Sequence, residues 1–148
     1  MGIKMILCTS SEVVSLARKF ETESAESFKM VYNSLRKETI FLDLAQENIN
    51  NITQIERIYY SGISDALEGC FSFKIEPAQY ILSPIVTENV KFADILATLL
   101  ENEKNIIRFY NKAAEQAQGL MVDMSRIFKT VASKREKRLS LLAGLQTN

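Results

Sequence analysis

The sequence of 148 residues contains no histidine and no tryptophan. Without histidine, the Ser–His and Cys–His pairs of nucleophilic enzymes are excluded, and any metal site must do without the commonest nitrogen ligand. The sequence also lacks a glycine-rich phosphate loop and a dinucleotide-binding fingerprint. The enzyme classes that depend on these features are therefore excluded.

Cysteine and long apolar runs are scarce as well. The two cysteines, Cys8 and Cys70, are too few for a disulfide scaffold. They indicate reduced thiols, and we expect a cytoplasmic protein. No run of about 18 apolar residues is present, so we expect no membrane-spanning helix and no membrane partner. The apolar start at 1–8 is too short for the core of a signal peptide.

Helix breakers are few, with five glycines and two prolines, whereas helix-forming residues are abundant. Eighteen basic and eighteen acidic side chains cancel, which gives no global attraction to nucleic acid. The length suits one domain with a substantial core. We therefore assign 1–148 to a single helical domain.

Four long segments have apolar residues at helical spacing. Helix 1 is predicted to open at Thr9, which has capping-box spacing to Glu12. Helix 2 is predicted over about 39–68, helix 3 from about Asn89 to 118, and helix 4 from about Met121 to Gly144. The connections are short, long and short, which predicts an all-α four-helix bundle with one long crossover between helices 2 and 3.

The crossover at 69–88 contains both prolines and a dense set of apolar residues. We expect these residues to cover the open side of the bundle, and the alternative is the interface of a homodimer. The set comprises Phe71, Phe73, Tyr80, Ile81, Leu82, Ile85 and Val86.

The two halves of the chain repeat one pattern. A shift of 82 residues places helix 1 on helix 3, and a shift of 87 places helix 2 on helix 4. Equivalent pairs are Glu21 with Glu103, Phe28 with Tyr110, Leu44 with Val131, and Ile55 with Leu142. Two related helical hairpins are therefore expected to form the bundle.

Six polar residues interrupt the apolar stripes at core-facing positions. They are Glu21 in helix 1, Asn48 and Asn51 in helix 2, Glu103 in helix 3, and Arg135 and Arg138 in helix 4. Glu47 is expected to point off the stripe. Buried carboxylates are costly unless they are paired, and two guanidinium groups balance two carboxylates. We therefore predict a buried network in which the arginines neutralise the glutamates and the asparagines complete the hydrogen bonds.

At these positions the chain resembles the rubrerythrin branch of the ferritin-like family, over roughly 10–143. The family places a metal-binding Glu seven residues before an aromatic residue in helices 1 and 3, as Glu21 and Glu103 stand here. Its helices 2 and 4 each carry Glu-x-x-His. Here the corresponding places hold Asn48 and Asn51 in LAQENINN, and Arg135 and Arg138 in VASKREKRLSLL. The resemblance implies a ferritin-like fold with a degenerate diiron site.

The departures from the family motif argue against a metal. The family's site uses four carboxylates and two histidines, of which two carboxylates remain. An arginine about 4 Å from a divalent ion costs roughly 8 kcal/mol at an effective dielectric constant of about 20. We therefore predict no metal ligands, no cofactor and no catalytic residues, and we lean towards a protein that is not an enzyme.

Three functions follow from these residues. The first is a metal-free ferritin-like protein that binds a protein partner or acts as a scaffold. The second is a rubrerythrin-type oxidoreductase that still holds an ion through Glu21 and Glu103. The third is a binder of nucleic acid or another anionic partner, and it is the least favoured. It would use the basic residues of helix 4, namely Arg126, Lys129, Lys134, Arg135, Lys137 and Arg138.

Overall fold

The structure, a computed structural model, describes residues 5–62, 73–119 and 121–147. Over these ranges the chain is all-helical, with four long helices packed against one another. They are α1 (Ser10–Ser34), α2 (Thr39–Gly62), α3 (Phe92–Ala117) and α4 (Val122–Gly144), with short 3-10 helices at Pro77–Tyr80 and Leu145–Thr147. The predicted all-α four-helix bundle is thereby confirmed. Cys70 and Phe71 lie outside the described residues.

The helix starts follow from local hydrogen bonding. The Thr9 hydroxyl accepts a hydrogen bond from the Glu12 backbone N–H, and the Glu12 carboxylate accepts from the Thr9 backbone, which completes the predicted capping box. The predicted start of helix 3 near Asn89 is wrong. Asn89 has a φ of 54°, in the left-handed region that cannot continue a helix. Helix α3 begins after Lys91, which provides no side-chain cap.

Neighbouring helices run in opposite directions within each hairpin. In the α1–α2 hairpin, Arg18 pairs with Glu56 near one end and Phe28 stacks on Phe41 near the other. In the α3–α4 hairpin, the Ser125 hydroxyl donates to the Ala114 carbonyl oxygen near one end, and Arg135 pairs with Glu103 further along. The hairpins meet mainly through α2 and α4, whereas the other adjacent pair across the hairpins, α1 and α3, makes fewer contacts.

A polar layer divides the core into two apolar clusters. One cluster surrounds Phe109, whose ring makes edge-to-face contacts with Phe20 and Tyr80. The other surrounds Phe28 and Phe41 at the opposite end of the bundle. Each cluster draws on all four helices, so that burial of apolar surface holds both ends together. The buried polar side chains lie between them.

The segment 73–91 lies along α3 and is fixed there by polar side chains. Asn102 exchanges two hydrogen bonds with the backbone of Ser83, and Gln116 does the same with Lys74. The segment begins beside the N-terminal residues, where Ile75 forms an antiparallel bridge with Leu7. These bonds satisfy backbone groups that no regular secondary structure serves.

The segment is partly buried. Phe73, Ile75 and Tyr80 belong to the core, whereas Ile81 and Val86 are exposed. The expectation that the apolar residues of this region cover the bundle is therefore met by some of them only. None of the helices in the described ranges is long and apolar enough to cross a membrane.

Candidate functional site

The structure places all six predicted polar residues in the interior, at most 2% exposed. They come from all four helices and meet in the layer between the two apolar clusters. Each occupies a position that helical periodicity turns towards the bundle axis. They are Glu21, Asn48, Asn51, Glu103, Arg135 and Arg138.

Arg135 is the centre of the layer. Its Nε and Nη2 donate to Oε2 of Glu21 at 3.0 and 2.7 Å, and its Nη1 donates to Oε1 of Glu103 at 2.6 Å. The guanidinium therefore joins the carboxylates of α1 and α3 from the fourth helix. A planar group with five donors suits this bridging geometry, and charge-assisted bonds of this kind are the stronger ones. The predicted buried salt bridge is confirmed.

Arg138 makes fewer strong contacts. Its Nε lies 3.1 Å from Oε1 of Glu103, and its Nη1 donates to Oδ1 of Asn48. The guanidinium carbon lies 5.1 Å from the ring centroid of Phe28, which adds a cation–π contact. The contact of Arg138 Nε with Glu103 is an ion pair without hydrogen-bond geometry, and Nη2 of Arg138 and Nδ2 of Asn48 are likewise buried without a hydrogen bond among the described residues.

Two contacts were missed by the sequence reasoning. The hydroxyl of Tyr110 donates to Oε2 of Glu21 at 2.8 Å. A tyrosine on a buried stripe needs a partner for its hydroxyl, so its place seven residues after Glu103 could have signalled this. Nη1 of Arg138 also donates to Oε1 of Glu47 at 3.2 Å. Glu47 was expected to point off the apolar stripe, and its side chain is 35% exposed at the edge of the bundle. The side chain of Arg138 is long enough to contact it there, which that expectation overlooked.

The two glutamates have unequal surroundings. Glu21 accepts from Arg135, from Tyr110 and, through Oε1, from Nδ2 of Asn51 at 3.0 Å. The contacts found for Glu103 within the described ranges all reach its Oε1. Tyr110 explains part of the difference, because the equivalent position in α1 is Phe28, which has no hydroxyl.

The two arginines also differ in their proton affinity. Burial alone would lower the pKa of Arg135, but the carboxylates of Glu103 and Glu21 outweigh it and the pKa is raised. Burial and the neighbouring charge of Arg135 together lower the pKa of Arg138 from its ordinary value. Burial, followed by the negative charge of Glu21, raises the pKa of Tyr110 well above its usual range. Arg135 is thus the better stabilised cation.

The residues present do not fit a diiron centre. Arg135 holds one oxygen from each of Glu21 and Glu103 and so occupies the space between the two carboxylates. A divalent ion there would face a guanidinium at close range, which is strongly unfavourable. In the described ranges, no group of three or more His, Cys, Asp or Glu residues is arranged to hold a metal ion.

The basic residues of α4 do not form one exposed surface. Arg135 and Arg138 are buried in the polar layer, and Lys134 donates to Oε1 of Gln54 at 3.1 Å. Arg126 is exposed but lies 3.6 Å from the carboxylate of Asp123. The cluster that sequence suggested as an anionic-partner surface is therefore divided between the interior and the solvent.

Comparisons with protein-family models, with curated proteins and with solved structures give no match.

Proposed function

We propose that this protein is a metal-free member of the ferritin-like superfamily, of the rubrerythrin type, in which a buried Glu–Arg–Asn network replaces the diiron site. Its role would be to bind a partner or to act as a scaffold. The observation that carries the proposal is the position of Arg135, which donates to both Glu21 and Glu103. These are the two glutamates that the family motif assigns to the metal.

The helix directions support the ferritin-like connection. Lys134 of α4 contacts Gln54 of α2, and Arg138 contacts Asn48, so α2 and α4 are antiparallel. Because α3 and α4 are antiparallel as well, α2 and α3 point the same way. Parallel consecutive helices require a connection that returns along the length of the bundle. The segment 73–91 lies along α3 as such a crossover would.

Charge balance supports a structural role for the network and counts against the oxidoreductase alternative. Two buried guanidinium groups balance two buried carboxylates, so these four groups carry no net negative charge that would attract a divalent ion. Iron entry would require Arg135 to leave two hydrogen-bonded carboxylates and become an unpaired buried cation. The cost of an uncompensated buried charge makes that exchange unfavourable.

The first test is metal content. The protein is produced in medium supplemented with iron and manganese, purified without chelator, and measured by elemental analysis. We expect far less than one ion per chain. A stoichiometric ion that is lost in Glu21→Ala would contradict the proposal and favour the altered metalloenzyme.

The second test restores the family motif. The fourfold variant Asn48→Glu, Asn51→His, Arg135→Glu and Arg138→His would present four carboxylates and two histidines with Glu21 and Glu103. We expect it to bind two divalent ions, read out by Co²⁺ absorption and by a metal-dependent rise in melting temperature. The matched control carries the same changes with Glu103→Gln. A folded variant without metal affinity would contradict the assignment of these positions to a former diiron site.

A further inference from the structure

A groove on the α1–α3 side of the bundle leads to the polar layer. It has a volume of about 370 Å³ and is bounded by α1, by residues 82–85 of the segment 73–91, and by α3. This volume lies at the lower end of the range found for small-molecule sites. The groove lies between α1 and α3, which contact each other less than α2 and α4 do, and the segment 73–91 forms its third wall.

The buried part of the groove includes the carboxylate of Glu103, which can accept further hydrogen bonds. Glu103 lines the groove and is 2% exposed, and both arginines contact its Oε1. Since the contacts found for Glu103 in the described ranges all reach that oxygen, Oε2 retains its capacity to accept hydrogen bonds. The corresponding oxygens of Glu21 are engaged by Tyr110, Asn51 and Arg135.

The other residues that line the groove favour an organic cation that carries an apolar chain. Glu23 and Glu26 stand on the α1 side, and no lysine or arginine is among the lining residues. Phe28, Leu82 and Leu99 supply apolar wall. An anion would meet acidic side chains, and a neutral apolar molecule would leave the carboxylate oxygen without a donor.

We propose that this groove binds a small organic cation, a linear aliphatic primary amine in its ammonium form, with the ammonium group donating to Oε2 of Glu103. A divalent metal fits less well, because Arg135 and Arg138 already lie 2.6 and 3.1 Å from the other oxygen of the same carboxylate. An ammonium group has a single charge and donates hydrogen bonds directly. The proposal rests on the binding role proposed above and names its ligand class.

The test is a titration of the whole protein with n-hexylammonium, followed by ¹H–¹⁵N NMR shifts, with hexan-1-ol and hexanoate as matched probes. We expect saturable shifts at groove residues with the amine, and binding about tenfold weaker with the alcohol because it lacks the charge. Equal affinity for the alcohol, tighter binding of hexanoate, or no saturable shift with the amine would each overturn the proposal. Metal analysis is independent of this result, so failure here leaves the metal-free assignment standing.

Two variants locate the ligand. Ser27→Trp, at a half-buried groove residue, fills the space and is expected to abolish binding. Phe28→Tyr supplies from α1 the hydroxyl that α3 has at Tyr110, and is expected to weaken amine binding about tenfold by competing for Glu103. Glu136→Gln removes one exposed charge on α4 and serves as the control. Full affinity in Ser27→Trp would overturn the groove as the site, and full affinity in Phe28→Tyr would overturn the contact with Glu103.

Discussion

The two hairpins of this bundle place different side chains at equivalent positions of a shared pattern. The first helix of each hairpin carries an inward glutamate, Glu21 in α1 and Glu103 in α3. The second helices differ, because α2 presents two asparagines where α4 presents Arg135 and Arg138. The α1–α2 hairpin therefore has a buried negative charge without a cation of its own, and the α3–α4 hairpin has a surplus cation.

This difference ties the hairpins together. The long guanidinium side chain of Arg135 reaches Glu21 in the other hairpin, whereas the shorter Asn51 donates to Glu21 within its own hairpin. Neither hairpin is neutral alone, so its buried charge is compensated only when the two associate. Such a network adds little net stability over an apolar core, but removal of one member leaves an uncompensated buried charge.

The largest effect is expected at the bridging cation. Arg135→Ala should lower the free energy of unfolding by about 3–5 kcal/mol, since it leaves the buried Glu21 without a cation and leaves Glu103 with Arg138 alone. The equivalent change in the other hairpin, Asn48→Ala, removes one neutral acceptor and should cost only about 1–2 kcal/mol. Urea denaturation measures both, with Lys137→Ala as an exposed control. Equal losses in the free energy of unfolding for Arg135→Ala and Asn48→Ala would contradict the difference between the two hairpins.

Substitution of the two equivalent glutamates, Glu21 and Glu103, should also lower the stability by different amounts. Glu21→Gln disturbs bonds with three partners and should cost about 3 kcal/mol, whereas Glu103→Gln should cost about 1 kcal/mol less. Both variants keep the shape of the side chain, so that packing is nearly unchanged. The comparison is made by urea denaturation at neutral pH, and a larger loss for Glu103→Gln would contradict the asymmetry described above.

Tyr110 should give the protein a pH dependence in alkali. Its folded-state pKa is raised, so its contribution to stability is complete below its unfolded pKa of about 10. Above that pH the unfolded chain releases the proton while the folded chain retains it, and stability falls as pH rises towards the folded-state pKa. Tyr110→Phe should cost about 1.5 kcal/mol at neutral pH and should make the alkaline fall shallower. An unchanged slope would contradict this assignment.

The smallest effects are expected at the helix starts. Thr9 caps α1. The residue 82 positions later, Lys91, stands at the same place before α3, where its backbone is extended and its side chain provides no cap. Thr9→Ala should destabilise by about 1 kcal/mol, and Lys91→Ser should stabilise by about 0.5 kcal/mol. Thermal unfolding measures both, and a destabilising Lys91→Ser would show that the two starts are not equivalent.

Much of the fold could be predicted from helical periodicity. The apolar stripes located the four helices, and the same stripes identified the six buried polar residues, because any residue at a core-facing position shares the burial of its neighbours. Helix boundaries were less certain. Helix 3 was predicted to start near Asn89, but the φ of 54° at that residue is left-handed and the helix begins at Phe92. The predicted part of helix 2 beyond Gly62 lies outside the described residues.

The hydrogen-bond partners within the buried network were harder to predict from the sequence than the helices were. Periodicity gives the direction of a side chain from its own helix but not how far it reaches across the bundle. The bonds from Tyr110 to Glu21 and from Arg138 to Glu47 depend on the relative height of helices in different hairpins. The same holds for the groove beside Glu103, which exists because the connecting segment follows α3.

The order of residues along the chain was enough to predict amphipathic helices with two carboxylates, two guanidinium groups and two amides facing their common interior. These properties are local, because they depend on residue type and on a period of 3.6 residues. The bridging of both glutamates by Arg135, and the position of both arginine contacts on one oxygen of Glu103, follow instead from how the four helices pack together. Those outcomes depend on distances of about 3 Å between atoms on separate helices, which packing fixes and sequence spacing does not.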